Sequence, residues 1–212
     1  MTIPCSLFPL GTMIGPYKIG EVLCNISNGQ TATVHLYPGV YYIRAQGAGG
    51  GGGNYAYPYG HGIGAGSGAG FKGYIKILKK VVVTVTAGKA GNSATDGTAT
   101  FISNIINLGG GKAGFTNQGG IPDIGGLGGT ITIDNSNLNK IFYITSYSVK
   151  SNGKSGTKQI GGNSVLTNDG GGQSGGGAAT ARGAGGGGTS SIGGIGGNGG
   201  YGECLIKFTG FY

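Results

Sequence analysis

Residues 189–202 read TSSIGGIGGNGGYG, and this stretch constrains the fold strongly. The side chains that interrupt its glycines recur at every third position: Ile192, Ile195, Asn198 and Tyr201. An α-helix places apolar residues three and four apart and a strand places them two apart, so a strict period of three fits neither. It fits the polyproline II helix, which has three residues per turn. A second stretch, IPDIGGLGGT, repeats this spacing at Ile121, Ile124 and Leu127.

Glycine dominates the composition, with 54 of the 212 residues against a usual share of about 7%. Collagen requires glycine at every third position and abundant proline, and this chain has six prolines and a broken repeat. Disorder is opposed by runs such as YIKIL and VVVTVT, which are too apolar and β-branched for a solvated linker. We therefore expect an ordered fold in which backbones approach each other closely.

Predicted strands alternate with glycine tracts along the chain. The strand segments are TATVHL, VYYIRAQ, FKGYIKIL, VVVTVTAG, DGTATFIS, the two ends of TITIDNSNLNKIFYITSYSVKS, and ECLIKFTGFY. Asn28-Gly29 is a typical hairpin turn dipeptide, and we expect Lys79-Lys80 to lie at another hairpin tip. No segment has a helical period long enough to predict a helix.

A polyproline II helix makes no hydrogen bonds within itself, so its amides need partners outside it. Glycine segments can lie side by side and bond laterally, because they carry no side chains. We therefore predict an all-β-like fold, with short β-strands combined with a bundle of polyglycine II helices, essentially no α-helix and little hydrophobic core. The period-three residues should point outward and form edges for packing or assembly: Ile121, Ile124, Leu127, Ile192, Ile195 and Tyr201.

Several glycine-containing segments follow one another in a characteristic order: YYIRAQGAGGGGG, VVVTVTAGKAG, DGTATFI, GGGKAG and GGNGGYGECLIKF. This order resembles the glycine-rich domains of bacteriophage tail-fibre and adhesin proteins. The resemblance covers about residues 31–212 and implies polyglycine II helices layered at a fibre tip, with loops that touch the bacterial surface. Residues 131–160 fit the pattern poorly and are a possible β insertion. Residues 1–30 are not covered, and we interpret them as an attachment or assembly segment.

Apparent catalytic and cofactor motifs lack the context that their chemistry requires. GAGGGG at residues 47–52 satisfies GxGxxG, but no helix follows and the next acidic residue is Asp96. NGKSG lacks the earlier glycine of a phosphate loop, because Ser148 stands there. The two histidines lack neighbours at metal-ligand spacing, the six carboxylates are scattered and no GxSxG is present. We expect no enzyme activity, cofactor or metal.

The charge and the cysteine content limit the cellular locations and the binding partners that we expect. The net charge of +8 is spread thinly, with no basic run or aromatic platform around Lys79-Lys80, so we do not expect nucleic-acid binding. Cys5, Cys24 and Cys204 are interpreted as small buried residues, with a Cys5–Cys24 bridge as the alternative. The chain shows no readable signal peptide and no apolar run long enough to cross a membrane. We expect a virion or extracellular location.

The stretch NYAYPYGH, residues 54–61, is the best functional candidate, and glycine flanks it on both sides. Tyrosine offers a large rigid surface with a hydroxyl at its tip, which suits recognition at low entropic cost. The candidate receptor-binding residues are Asn54, Tyr55, Tyr57, Tyr59 and His61. The alternative is that the tyrosines pack over the glycine segments or against a partner subunit. Residues 115–118 and 163–168 are weaker loop candidates.

These observations predict a non-enzymatic structural or adhesive protein. The favoured function is that of a phage-type tail-fibre tip, with a bacterial surface protein or glycan as its receptor and a shaft protein or other copies of itself as further partners. The alternative is a self-assembling subunit of an extracellular glycine-rich filament. Ice binding by a regular glycine face is less favoured, because the period-three residues are apolar and irregular.

Overall fold

A computed structural model describes residues 16–56, 60–117 and 125–211, which form twelve strands and no helix. The strands are β1 (Val22–Ser27), β2 (Thr31–Leu36), β3 (Gly39–Gln46), β4 (His61–Gly62), β5 (Gly70–Ile77), β6 (Val81–Thr86), β7 (Thr100–Ile102), β8 (Ile106–Leu108), β9 (Thr116–Asn117), β10 (Ile131–Ile133), β11 (Phe142–Ser151) and β12 (Glu203–Gly210). The predicted all-β character and the absence of helix are confirmed for this part of the chain.

Ten of the strands form two five-stranded antiparallel sheets. The first sheet has the order β1-β12-β3-β5-β11 and the second has the order β10-β8-β7-β6-β2, while β4 and β9 pair separately. One hydrophobic cluster joins the two sheets; it includes Tyr41 and Ile43 from the first sheet and Val83 and Val85 from the second. The expectation of little hydrophobic core is therefore wrong. Strand residues alternate between the inner and outer faces, and the inner sets are large enough to fill a sandwich.

Short connections cross between the sheets where the sequence predicts hairpins. Asn28 and Gly29 have φ angles of 48° and 80°, and the Gln30 amide donates to the Ser27 carbonyl, as a tight turn requires. However, β1 pairs with β12 and β2 pairs with β6. Lys79-Lys80 likewise joins β5 of the first sheet to β6 of the second. Both hairpin predictions are wrong, because a turn dipeptide specifies chain reversal and does not specify which strand becomes the partner.

Three of the four edge strands come from the two segments that the resemblance covers poorly or not at all; the fourth is β2. Residues 22–27 form β1, at one edge of the first sheet. The range 131–160 supplies β11 to the other edge of that sheet and β10 to an edge of the second sheet. Both segments are therefore built into the same pair of sheets as the central strands.

Glycine-rich segments continue from the strand ends and bond to one another laterally; we call them the glycine layer. It comprises residues 47–53, 62–69, 88–98, 109–115, 125–130, 153–162 and 183–202. In residues 47–53 the hydrogen-bond partner changes with every residue. Gly50 donates to Gly66, Gly51 to Thr95 and Gly52 to Gly197, at 3.0, 2.9 and 2.8 Å. Each neighbouring segment thus accepts from a different amide.

The same partners recur at every third residue. Gly47, Gly50 and Gly53 donate to Ala69, Gly66 and Ile63, so residues 47–53 and 63–69 run antiparallel. Residues 62–69 repeat this behaviour: the amides of Ile63, Gly66 and Ala69 bond to the carbonyls of Phe115, Lys112 and Gly109, while those of Gly62, Ala65 and Gly68 bond to Thr189, Gly186 and Gly183. A β-strand would alternate between two neighbours with period two, so this bonding differs from a sheet.

Close backbone contact explains the glycine content of the layer. A Cβ atom at Gly50, Gly51 or Gly52 would overlap the carbonyl group of Lys112, Asn92 or Gly187, respectively. These obstacles are backbone atoms that cannot rotate away. Alanine is tolerated at a few positions, such as Ala48 and Ala65, where the methyl group is completely buried.

We expect the Gly52→Ala substitution to lower the free energy of unfolding by about 1–3 kcal/mol or more, because the new methyl group pushes two hydrogen-bonded segments apart. Gly193→Asn is the control. Gly193 has a φ of +69°, which asparagine adopts readily, and a Cβ there meets nothing within 4 Å. The control should remain within about 0.5 kcal/mol of the parent in urea unfolding. Equal losses in the two variants would contradict close packing as the reason for glycine.

Candidate functional site

The glycine layer gathers several loops at the end of the molecule opposite the sandwich. Residues 47–53 lead away from β3 and residues 63–69 return into β5, so the residues between them lie at the far end. The Ile63 amide bonds to the Phe115 carbonyl at 2.8 Å, and the Gly62 amide to the Thr189 carbonyl at 2.7 Å. We define the distal end as the described parts of residues 54–62, 115–117, 157–160 and 189–195.

Asn54 connects several segments of the distal end through hydrogen bonds. Its Oδ1 accepts a hydrogen bond from the Gly196 amide at 2.9 Å and another from the Ser93 hydroxyl. Its backbone carbonyl accepts from the Thr116 hydroxyl at 2.9 Å. The side chain is therefore engaged inside the protein, where it fixes the start of the candidate loop.

The other predicted recognition residues occupy the same loop. Tyr55 is half-buried, and its amide donates to the Gly194 carbonyl at 3.1 Å. His61 is half-buried in β4, which pairs with β9, and its buried Nδ1 has no hydrogen-bond partner among the described residues. Tyr57 and Tyr59 lie outside the residues that the structure describes. The described parts of the loop are thus anchored at both ends by backbone hydrogen bonds.

Large apolar side chains are exposed at the distal end. Phe115 is 46% exposed and Ile160 is 43% exposed, while Ile192 and Ile195 reach 79% and 70%. Ile160 was not predicted, because a single isoleucine in the turn KQIGG carries no periodic signal. Its turn is closed by reciprocal backbone bonds with Thr157. The surface around the candidate loop is therefore more apolar than the tyrosine motif alone indicates.

The two weaker loop candidates, residues 115–118 and 163–168, lie in different parts of the structure. Residues 115–117 belong to the distal end, whereas residue 118 lies outside the described residues. Residues 163–168 lie near the end of β3, because the buried Ser164 hydroxyl donates to Oε1 of Gln46 at 2.9 Å. That segment is therefore anchored at the sandwich side of the glycine layer.

The outward direction of the period-three residues is confirmed where the structure describes them. Leu127 is 61% exposed while Gly125, Gly126 and Gly129 are buried. Ile195 and Asn198 are exposed while Gly196, Gly197 and Gly200 are buried. Ile121 and Ile124 lie outside the described residues. Whether these edges join copies of the chain remains a prediction.

Tyr201, the last of the period-three residues, is engaged in a charged cluster. It is 39% exposed, and the guanidinium of Arg182 lies over its ring at 5.5 Å from the centroid. Arg182 also pairs with the buried carboxylate of Glu203, and Arg44 Nη2 lies 3.0 Å from the other oxygen of that carboxylate. One acid therefore pairs with two arginines at the junction of the glycine layer and β12.

Asp96 holds two parts of the glycine layer together. Its carboxylate accepts from the Lys112 ammonium at 2.7 Å and from the Ala113 amide at 2.7 Å. Partial burial opposes ionisation, but these two hydrogen bonds outweigh it and hold the pKa of Asp96 below its ordinary value.

Two of the cysteines are neighbours in the first sheet. Cys24 on β1 and Cys204 on β12 are free, buried thiols that hydrogen-bond to each other. That hydrogen bond, together with burial, raises the pKa of the Cys204 thiol well above its ordinary value. Cys5, which sequence reasoning paired with Cys24 as an alternative, lies outside the described residues.

Neither a metal-binding cluster nor a membrane-spanning helix is present in the described ranges. Residues 16–56, 60–117 and 125–211 contain no group of three histidine, cysteine or acidic side chains placed to hold a metal ion. Within the same ranges there is no helix of the length and apolar character needed to span a bilayer.

Comparison with known proteins does not assign the chain to a family. No protein-family model matches it, and no curated protein shows significant sequence similarity to it.

The Asp96–Lys112 interaction predicts a dependence of stability on pH. The folded pKa of Asp96 lies below the unfolded one, so its stabilising effect is complete above the unfolded pKa and is lost as the pH falls through the folded value. Asp96→Asn should therefore be less stable than the parent at pH 7, and the two should converge at acidic pH in urea unfolding. In the Lys112→Gln background, Asp96→Asn should lower the free energy of unfolding at pH 7 by a smaller amount. A gap between parent and Asp96→Asn that stayed constant from neutral to strongly acidic pH would contradict the assignment.

Proposed function

We propose that the segments of the glycine layer are polyglycine II helices. Three features support this proposal. Successive amides of residues 47–53 bond to three different segments, the partners recur at every third residue, and non-glycine side chains such as Leu127 and Ile195 emerge at the same interval. A helix with three residues per turn and no internal hydrogen bonds accounts for all three.

Hydrogen-bond couplings measured by nuclear magnetic resonance would test this proposal. The amides of Gly50, Gly51 and Gly52 should couple across hydrogen bonds to the carbonyl carbons of Gly66, Thr95 and Gly197. Backbone chemical shifts should also indicate the polyproline II region. Couplings that alternate between two neighbours would indicate ordinary strands, and rapid amide exchange throughout residues 183–202 would exclude an ordered layer.

We propose further that the protein is a non-enzymatic adhesive module, a phage-type tail-fibre tip that binds a bacterial surface protein or glycan through its distal end. The observation that carries this proposal is the convergence of the Tyr55 loop with the exposed Phe115, Ile160 and Ile195 on one end of a hydrogen-bonded layer. Binding residues are commonly placed on loops that a rigid scaffold positions. Exposed apolar groups bordered by polar ones mark interaction sites. The proposed location is the virion or the outside of the cell.

A second proposal, a subunit of an extracellular filament, is supported by a different set of exposed groups. Leu127 and Ile192 present apolar side chains on the outside of the glycine layer. Among the described residues, both sheets also end in strands that pair on one side, β1 and β11 in the first sheet and β10 and β2 in the second. Unpaired strand edges can add strands from another chain.

Binding to intact bacteria tests the adhesive proposal. In the Phe115→Ser/Ile160→Ser variant we expect cell binding to fall by about tenfold or more, because two apolar contacts at the proposed interface are lost. Phe101→Ser/Val82→Ser is the matched control; these side chains are 38% and 47% exposed on strands of the second sheet, away from the distal end. The readout is labelled protein retained on a panel of bacterial strains.

The control should bind as the parent does, and both variants should keep the parental melting temperature. Equal binding by the parent and the distal variant on every strain that retains protein would contradict the adhesive proposal. Electron micrographs of the purified parent at micromolar concentration test the alternative. Long regular polymers would favour the filament proposal, whereas particles the size of single molecules would contradict it.

A further inference from the structure

A row of exposed side chains crosses the outer face of the second sheet at its β10 edge. The register of β7, β8 and β10 places Phe101 directly opposite Asn107, and Asn107 directly opposite Thr132. These three residues are exposed, whereas their neighbours along each strand are buried or half-buried, so the row faces away from the core. Because adjacent strands lie about 4.8 Å apart, the row is about 10 Å long.

Two turns bring further amide side chains to this row. The Asp134 amide donates to the Ile105 carbonyl at 2.9 Å and holds the turn after β10 against the turn between β7 and β8. Asn104 and Asn135, next to these two residues in the sequence, are both exposed. They line, with residues of the three strands, a concavity of about 490 Å³, which is within the range of about 300–1,000 Å³ usual for ligand pockets. We define the amide groove as Phe101, Asn104, Asn107, Thr132 and Asn135.

The polar side chains of the amide groove are available to a ligand. Among the described residues, none of its three asparagine side chains and not its threonine hydroxyl has a hydrogen-bond partner. Each asparagine amide supplies two donors and one acceptor oxygen. The Asp134 carboxylate, which also lines the concavity, is engaged by Ser136 and Asn137 of its own turn. The strands of the second sheet contain no lysine, arginine or acidic residue, so the groove is built mainly from neutral groups.

An open aromatic ring lies at one end of the row. Phe101 is 38% exposed, and within the described part of the chain its ring contacts no other ring and no cation. Such a ring packs against the apolar face of a sugar ring, and polar groups beside it fix the orientation of the ligand. Sugar hydroxyls both donate and accept hydrogen bonds, as asparagine amides do.

We propose that the amide groove binds a neutral saccharide chain. Phe101 provides the apolar platform, and the asparagine amides bond to the sugar hydroxyls. A second concavity of about 280 Å³ adjoins the first and shares Thr132 and Asn135 with it, so a chain of several sugar units can continue past β10. The groove lies on the sandwich. It is separate from the distal end and does not depend on the function proposed for that end.

The β10 edge suits a sugar chain better than an added β-strand. With three residues, β10 is the shortest of the four edge strands. The backbone amide of Ile131 already donates to Oδ1 of Asn152 at 2.9 Å. An added strand depends on free backbone groups along the edge, and few of these remain on β10.

Nuclear magnetic resonance titration of the full chain with maltoheptaose, cellohexaose and mannohexaose, three neutral oligosaccharides, tests the proposal. The parent should bind at least one of them, and the side-chain amide signals of the amide groove should shift. Binding should be insensitive to salt, because the ligand is uncharged. Asn107→Ala/Asn135→Ala should weaken binding by about tenfold or more, since hydrogen bonds from two amides are lost.

Asn25→Ala/Asn92→Ala is the matched control, because it removes two exposed amides from β1 and from the glycine layer, away from the groove. It should bind the sugar as the parent does, and both double variants should melt at the parental temperature. The proposal would be overturned if the parent bound none of the three sugars, if the shifts lay elsewhere on the molecule, or if the two double variants lost binding equally. Displacement of the sugar by a synthetic peptide with the sequence of β11 would overturn it in favour of an added strand.

The Phe101→Ser/Val82→Ser variant separates this site from the adhesive proposal. It removes the ring of the amide groove and leaves the distal end unchanged. We expect it to lose oligosaccharide binding by about tenfold or more while it still binds bacteria as the parent does. Unchanged oligosaccharide binding in this variant would contradict the amide groove, whatever the result for cell binding.

Discussion

Lateral hydrogen bonding between bare backbones is the constraint on which the rest of the structure depends. In residues 47–53 three successive amides face three different neighbours, so every segment is positioned by several others at once. Ordering glycine costs about 0.5–1 kcal/mol more per residue than ordering alanine, and a net hydrogen bond contributes about 0.5–1.5 kcal/mol. The layer can therefore persist only if nearly every amide finds a partner, and close contact through glycine makes this possible.

The hydrophobic sandwich complements that layer, and a buried polar joint connects the two. At the end of β3 the Gln46 carbonyl accepts from the Thr100 hydroxyl at 2.7 Å, and the Gln46 side chain accepts from Ser164. The Thr100 hydroxyl in turn accepts from the Gly88 amide at 2.7 Å. These bonds satisfy backbone groups where strand pairing stops and threefold bonding begins. The apolar cluster fixes the strand ends, and the strand ends fix where each glycine segment starts.

Local patterns in the sequence predicted local structure well. The apolar, β-branched run VVVTVT predicted β6, and the spacing of Leu127 and Ile195 predicted their outward direction. The pairing of strands could not be predicted in this way, because the turns at Asn28-Gly29 and Lys79-Lys80 hold no information about which strands will pair. The size of the hydrophobic core was underestimated because each apolar strand is short. The strands form one large core only when the two sheets stack.

The same limit applies to the functional surfaces. The tyrosine motif is contiguous in the chain, so it could be recognised as a candidate, but the structural role of Asn54 depends on Gly196 and Ser93, far away in the sequence. Ile160 reaches the distal end through the path of the glycine layer, which no local signal encodes.

The recurrence of partners at every third residue also governs how such a layer can change length during evolution. Adding or removing three residues within a segment restores each amide to the same neighbour, whereas a change of one or two residues rotates every later amide toward the wrong one. Natural variation inside the glycine segments should therefore occur in multiples of three. The loops that join them are free of this phase restriction and can diverge in any increment.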